Sequence, residues 1–216
     1  MFVVFEGSDG AGKTTQLKML AERLRGMGIE VVITNEPGGG GEFSKACRET
    51  VLYTKEEPTW IAEEMLFAAS RAENVEKVIR PALAEGKVVL CDRFGDSSLA
   101  YRGCVGKPAV RNCVQALHAL ATAGLEPDIR IFLDVDPKVG LARQSDTNRY
   151  EEKGLAFSQE VRAQYHLLIE EDPWKWVFVD ASGTVEEVHE ALFSAFIHRL
   201  GNVFRERYDK HLTQAA

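Results

Sequence analysis

The sequence predicts an α/β fold in which a parallel sheet of about five strands lies between layers of helices. Three observations carry this expectation. Five short apolar runs alternate with longer stretches of helical period. The runs are continuous and do not alternate apolar with polar. The first run leads through glycines directly into the first helix. Continuous runs suit strands covered on both faces, and strand–helix repetition supplies the crossovers that a parallel sheet needs. Hydrophobic residues make up 45% of the 216, enough for a sizeable core.

The elements follow in order. Phe2-Val3-Val4-Phe5 is the first run and stops at Glu6-Gly7. Helical spacing at Leu17, Leu20 and Leu24 comes next, closed by Gly26 and Gly28. Val31-Val32-Ile33 is the second run, and the glycine-rich Pro37-Gly38-Gly39-Gly40-Gly41 after it must be a loop. The longest helical stretch covers 61–84, where Pro81 ends or kinks the helix. The third run is 87–91, the fourth 129–133 and the fifth 176–179. The polar stretch 144–154, from Gln144 to Gly154, reads as a mobile lid. Residues 1–200 form one domain, and 201–216 is a polar, partly frayed tail. Ligands of open α/β sheets gather beyond the carboxyl ends of the strands, so Glu6-Gly7, the glycine loop and Asp92 share one functional edge.

Composition removes several function classes. With 26 Lys+Arg against 33 Asp+Glu the formal charge is -7, which argues against a nucleic-acid polymer as partner. Cys47, Cys91, Cys104 and Cys113 form no C-x-x-C pair and read as reduced thiols. The five histidines show no metal-binding spacing. No apolar run approaches the roughly 20 residues of a membrane span. The N-terminus lacks the basic lead-in of a signal peptide, so the expected place is the cytoplasm.

Gly7-Ser8-Asp9-Gly10-Ala11-Gly12-Lys13-Thr14 fits the pattern G-x-x-x-x-G-K-[ST], between a predicted strand and a predicted helix. The glycines let backbone N–H groups wrap a phosphate, and the helix N-terminus adds positive potential. Lys13 would reach the β and γ phosphates, and the Thr14 hydroxyl would hold Mg²⁺. The fold expectation sharpens to a three-layer P-loop NTPase. A guanine-reading N-K-x-D and a transporter-type L-S-G-G-Q signature are both missing, and a kinase for a small acceptor would need cations to clamp a second phosphate and a lid to exclude water. Asp92 is placed like a second magnesium-linked carboxylate, and Arg93 like a bridge between donor and acceptor phosphates, against the plainer reading of a strand-end ion pair. Phe67 and Arg71 share one helix face, where a ring can stack on a base and a guanidinium can bind its edge; taken alone, a helical Phe is more often core. Arg48 and Tyr101 carry no signal in isolation.

Taken together these residues resemble the thymidylate kinases. The phosphate loop through Thr15-Gln16, Thr34-Asn35-Glu36-Pro37-Gly38-Gly39, Phe67-Ala68-Ala69-Ser70-Arg71, Arg80-Pro81-Ala82-Leu83 and the block from Asp92 to Tyr101 all match. So do Pro127-Asp128, Leu133-Asp134, Asn148-Arg149-Tyr150-Glu151 and Val161-Arg162 before Tyr165, in family order. The resemblance implies phosphoryl transfer from ATP to dTMP, giving dTDP and ADP for dTTP synthesis, with Mg²⁺ as cofactor. It also implies a homodimer. By motif position, Gly7, Ser8, Asp9, Gly10, Ala11, Gly12, Lys13, Thr14 and Thr15 hold the donor phosphates, and Ala181 lies in the loop beside adenine. Asp9 helps position the acceptor, while Arg48 and Arg93 grip its phosphate. Phe67 stacks on thymine and Arg71 meets its carbonyl edge; Ser97 and Ser98 contact the base or its surroundings, and Tyr101 disfavours a 2′-hydroxyl.

The sequence also departs from the family pattern. Gly10 stands where some members carry Arg, which shifts the catalytic Arg to the lid, with Arg143 and Arg149 as candidates. Asn35 replaces an Arg, Asn148 an Asp and Phe94 a Tyr, and Arg102 would offset the charge missing at Asn35. Two rival readings stand beside this one. One is another nucleotide or deoxynucleoside kinase, acting on thymidine, dUMP or a different monophosphate. The other is a non-catalytic nucleotide-binding sensor.

Overall fold

The structure, a computed structural model, describes residues 1–143 and 148–214, with side chains throughout except at 151 and 203–214. Five strands, β1 (Phe2–Glu6), β2 (Val31–Asn35), β3 (Val88–Asp92), β4 (Ile129–Asp134) and β5 (Trp176–Asp180), form one sheet in the order β2-β3-β1-β4-β5. Every pair is parallel. β1 is central, with Phe2 opposite Val89 and Val3 opposite Ile129.

Alternate side chains of β1 serve opposite layers, as the period of a strand requires. Val3 and Phe5 pack with Leu17, Leu20 and Leu24 of α1 (Lys13–Gly26) and with Val188, Leu192 and Phe196 of α9 (Val185–Gln214). Phe2 and Val4 face the other way, onto Val75, Ile79 and Ala82. On that second face, Phe132 of β4 packs against Val161, Tyr165 and Leu168 of α8 (Gly154–Glu171).

The expectation that all five runs are buried on both faces is corrected at the sheet edges. β1 and β4 are buried throughout, but Ile33 in β2 is 40% exposed and Phe178 in β5 is 50% exposed. Each edge strand has a neighbour on one side alone, so helices cover it incompletely. Strands also extend beyond their apolar runs, ending at Glu6, Asn35, Asp92, Asp134 and Asp180. Backbone pairing continues there because it does not depend on side-chain polarity.

The stretch 61–84 is not one helix. α3 (Trp60–Asn74) passes into a π-helical turn at Val75–Ile79 and then α4 (Arg80–Ala84), with Pro81 in the first turn of α4. The wider turn lies just before a residue that has no N–H to give an ordinary helical bond. Two helices, α2 (Glu42–Tyr53) and α6 (Pro108–Thr122), flank α3. α5 (Gly95–Tyr101) follows β3, and α7 (Pro137–Ala142) follows β4. Within the expected lid, 144–147 lie outside the described residues, and a 3₁₀ turn at Glu151–Lys153 leads into α8. α9 is helical to Gln214 and so runs across the boundary placed at residue 200.

Candidate active site

The loop after β1 turns on glycines. Gly10 has φ +73, and a Cβ there would fall 2.0 Å from the carbonyl oxygen of Gly140 in α7; a Cβ on Gly140 would in turn fall 2.5 Å from the Asp9 oxygen. Two bare backbones therefore press the loop onto α7, and an Arg at position 10 has no room there. Lys13 opens α1. Its ammonium donates to the Gly7 and Ser8 carbonyls at 3.1 and 2.8 Å. Burial and the nearby Arg93 charge bring it down to about 8. The Thr14 hydroxyl donates to Asp92 Oδ2 at 2.5 Å, linking the end of β3 to the start of α1. These are hard oxygen donors of the kind Mg²⁺ takes. Among the described residues no group of three or more His, Cys, Asp or Glu is set to hold a metal by itself.

Arg93 lies beside this pair and has φ +72, in the left-handed region that a residue with a side chain seldom occupies. The turn directs its guanidinium back across the loop. Nη1 donates to the Gly7 carbonyl at 3.0 Å and to Ser97 Oγ at 3.2 Å, while Nη2 pairs with Asp9 and donates to the Tyr101 hydroxyl at 2.9 Å. Tyr101 donates to the other Asp9 oxygen at 2.8 Å. Burial works against the Asp9 charge, but Arg93 and Lys13 outweigh it and hold the carboxyl below its usual range.

A pocket opens beyond Arg93 between α2, α3 and α5, and Phe67, Arg71, Ser97, Ser98, Tyr101 and Arg48 line it. Arg71 is 2% exposed, and its Nε pairs with Glu36 Oε2 at 2.7 Å. Its Nη2 donates to Ser98 Oγ at 3.1 Å. Burial raises the Glu36 carboxyl although Arg71 and Asn74 bind it. Arg48 donates to the Pro37 carbonyl at 2.9 Å from the pocket rim. A second, larger cleft runs from the phosphate loop, Thr14 and Thr15 to Ala181 and Gly183. Asp9, Glu36, Arg48 and Arg93 line both hollows, so the two meet at the Arg93–Asp9 pair.

The two lid arginines part company. Arg143 lines the larger cleft and donates to the Ala181 carbonyl at 3.3 Å. Arg149 lines neither hollow; its Nη2 pairs with Glu63 Oε1 at 2.8 Å and its Nη1 donates to the Val51 carbonyl at 3.3 Å. Arg102 pairs with Glu63 and Glu64, which corrects the expectation that it offsets the charge missing at Asn35. Asn35 instead donates to the Pro37 carbonyl at 2.8 Å. Phe94, without a hydroxyl, is buried with its ring edge-on to Phe2 and His118.

Sequence reasoning assigned no role to Glu6, Glu36, Glu63 or Glu64, all of them buried. Glu6 and Glu36 each end an apolar run or flank a glycine loop, where an acidic residue is out of keeping with its neighbours, and both fall in blocks that match the family; Glu63 and Glu64 carried no such signal.

A family model described as Thymidylate kinase matches residues 5–192. A thymidylate kinase of Synechococcus sp. (strain JA-3-3Ab) is 44% identical over 200 residues, covering 93% of this chain and 97% of that protein. One from Thermomicrobium roseum is 44% identical over 197 residues, 89% of this chain and 92% of that protein. One from Caulobacter vibrioides is 40% identical over 205 residues, 93% of this chain and 97% of that protein.

Proposed function

The chain belongs to the thymidylate kinase family, and from that premise we propose how its residues move the γ-phosphoryl group of ATP to dTMP, giving dTDP and ADP. The observation that carries the proposal is the meeting of two hollows at the Arg93–Asp9 pair, one beginning at a phosphate loop and the other lined by Phe67 and Arg71. ATP lies in the larger cleft, its adenine toward Ala181 and its phosphates in the loop 7–15. The acceptor lies in the pocket, with thymine on Phe67, the Arg71–Ser98 pair at the edge of the base and Tyr101 beside the sugar.

Bringing two polyanions together is the main barrier, and cations placed between them lower it. Lys13 holds the β and γ phosphates, while Arg48 and Arg93 hold the acceptor phosphate. An acceptor phosphate oxygen forms a bond to the γ-phosphorus as the bond to the β–γ bridging oxygen breaks, and ADP leaves with that electron pair. The acceptor already carries its charge, so no side chain need take a proton from it. Asp9 keeps Arg93 and Tyr101 in place. Thr14 and Asp92 fit Mg²⁺, which when bound supplies charge neutralisation at the β and γ phosphates. Arg143 is the better placed of the two lid arginines for the γ-phosphate, because it lines the donor cleft and Arg149 does not.

Residues 1–200 act as one kinase domain with its lid at 144–154. No helix of the described residues is long and apolar enough to cross a membrane. The cytoplasm as its place rests on the family likeness. A homodimer agrees with the family likeness and with Phe43, Met65 and Leu120, apolar and exposed on α2, α3 and α6. Light scattering at twice the 24.0 kDa chain mass would support it.

The test is ADP production from Mg-ATP with a panel of nucleoside monophosphates and thymidine. Preference for dTMP is expected. Another preferred acceptor would overturn the assignments of Phe67, Arg71 and Tyr101. ATP binding without acceptor-dependent turnover would favour a sensor.

A further inference from the structure

Neither the phosphate loop nor the acceptor pocket explains why β1 ends in a carboxylate. Glu6 is 0% exposed. Oε1 accepts the Phe94 N–H at 2.8 Å, and Oε2 accepts the Ser97 hydroxyl at 2.6 Å and the Tyr165 hydroxyl at 2.7 Å. No Lys, Arg or His forms a salt bridge with Glu6 among the described residues. A buried carboxylate hydrogen-bonded only by neutral donors costs the fold desolvation energy that the nearby Arg93 charge offsets in part, and a neutral residue of similar size would spare that cost.

The identity of the donors shows what Glu6 accomplishes. The Phe94 amide directly follows Arg93, so fixing it fixes the left-handed turn at φ +72. The Ser97 hydroxyl donates its hydrogen bond to Glu6, which leaves its lone pairs for Arg93 Nη1 at 3.2 Å. Tyr165 brings α8, the helix that leads out of the lid, to the same oxygen. We infer that Glu6 is a positioning residue for Arg93: it sets the Arg93 turn through the Phe94 amide, sets the guanidinium through Ser97, and ties both to α8 through Tyr165. The inference rests on the reading of Arg93 as the cation of phosphoryl transfer.

Double-mutant cycles test it with E6Q and Y165F, each alone and combined with R93A, and with R93A alone, by measuring kcat, both KM values and thermal stability. Gln at position 6 keeps the size and one acceptor, but its amide donates to Ser97 and takes the lone pair that serves Arg93. We expect E6Q to lower kcat by about tenfold to a hundredfold, as a misplaced catalytic group does. KM for ATP should change by less than about twofold, and in the R93A background E6Q should add less than about twofold. Thermal stability should hold or rise. Y165F should show the same pattern with a smaller loss, and it carries the cycle if E6Q does not fold. Should E6Q cost as much in R93A as in the parent, Glu6 does not act through Arg93, and the inference falls while the reading of Arg93 stands. Should R93A turn over almost normally, both fall.

Discussion

Glu6 shows how one residue can set the pH response of the fold. Burial, with Asp96 adding like charge, lifts its carboxyl from the ordinary 4.5 to about 7, against the opposing pull of Ser97, Arg93 and Tyr165. The folded chain therefore binds this proton more tightly than the unfolded chain does. The Glu6 contribution favours folding most below pH 4.5 and is lost as pH rises to 7, on the order of 3 kcal/mol in all. E6Q should flatten that decline, which denaturant midpoints at pH 5 and pH 8 would reveal; an unchanged difference would place the proton elsewhere. At Phe67 the expectation concerns binding. Stacking contributes about 1–3 kcal/mol per base, so F67A should raise KM for dTMP about fivefold to a hundredfold and leave KM for ATP alone. Equal weakening of both substrates would show that the ring supports the fold and does not bind the base. The spacing of four put Phe67 and Arg71 on one helix face, but only the family resemblance marked them out from an ordinary core pair; both line the pocket. The Glu36 partner of Arg71 was not, because the pair is 35 residues apart and only the fold brings it to 2.7 Å.

Among elements, the tightest constraint is the contact of the phosphate loop with α7. G10A would force a methyl group 2.0 Å from the Gly140 oxygen, at a φ of +73 that favours glycine. Either the loop or α7 must move. Calorimetric titration with ATP should then show affinity lost by at least about tenfold, since a displaced loop no longer aims its amides at the phosphates. Binding at parental strength would mean that the loop tolerates the shift. Strand positions were legible because β-branched and aromatic runs are hard to mistake. The ends at Glu6 and Asp92 were legible, but the extensions to Asn35, Asp134 and Asp180 were not, since those residues pair by backbone while their side chains look like loop. The π turn at Val75–Ile79 was hidden because helical period continues through it; only Pro81 signalled a break, and the break lies just before it. The Arg149–Glu63–Arg102 cluster was equally hidden, because ion pairs between distant segments leave no trace in local spacing.

Across the whole molecule the two hollows act together, because Asp9, Arg48 and Arg93 line both. A ligand joining adenosine to thymidine through a polyphosphate chain should bind about a hundredfold or more tighter than ATP or dTMP alone, by the effective concentration that linkage provides. A shift in thermal midpoint no greater than that given by ATP would show that the hollows cannot be filled at once. The parallel fold was legible from the run pattern, but the strand order was not, because nothing in a run states its neighbour. That order also bears on how the chain folds. β1 finds its partners at β3 and β4, with Phe2 opposite Val89 and Val3 opposite Ile129. Every pairing that closes the centre of the sheet thus joins residues far apart in the chain. A long loop must close before such a pairing returns any burial, so sheets built on them form slowly. Until those pairings close, the apolar strand lies open to association with other chains.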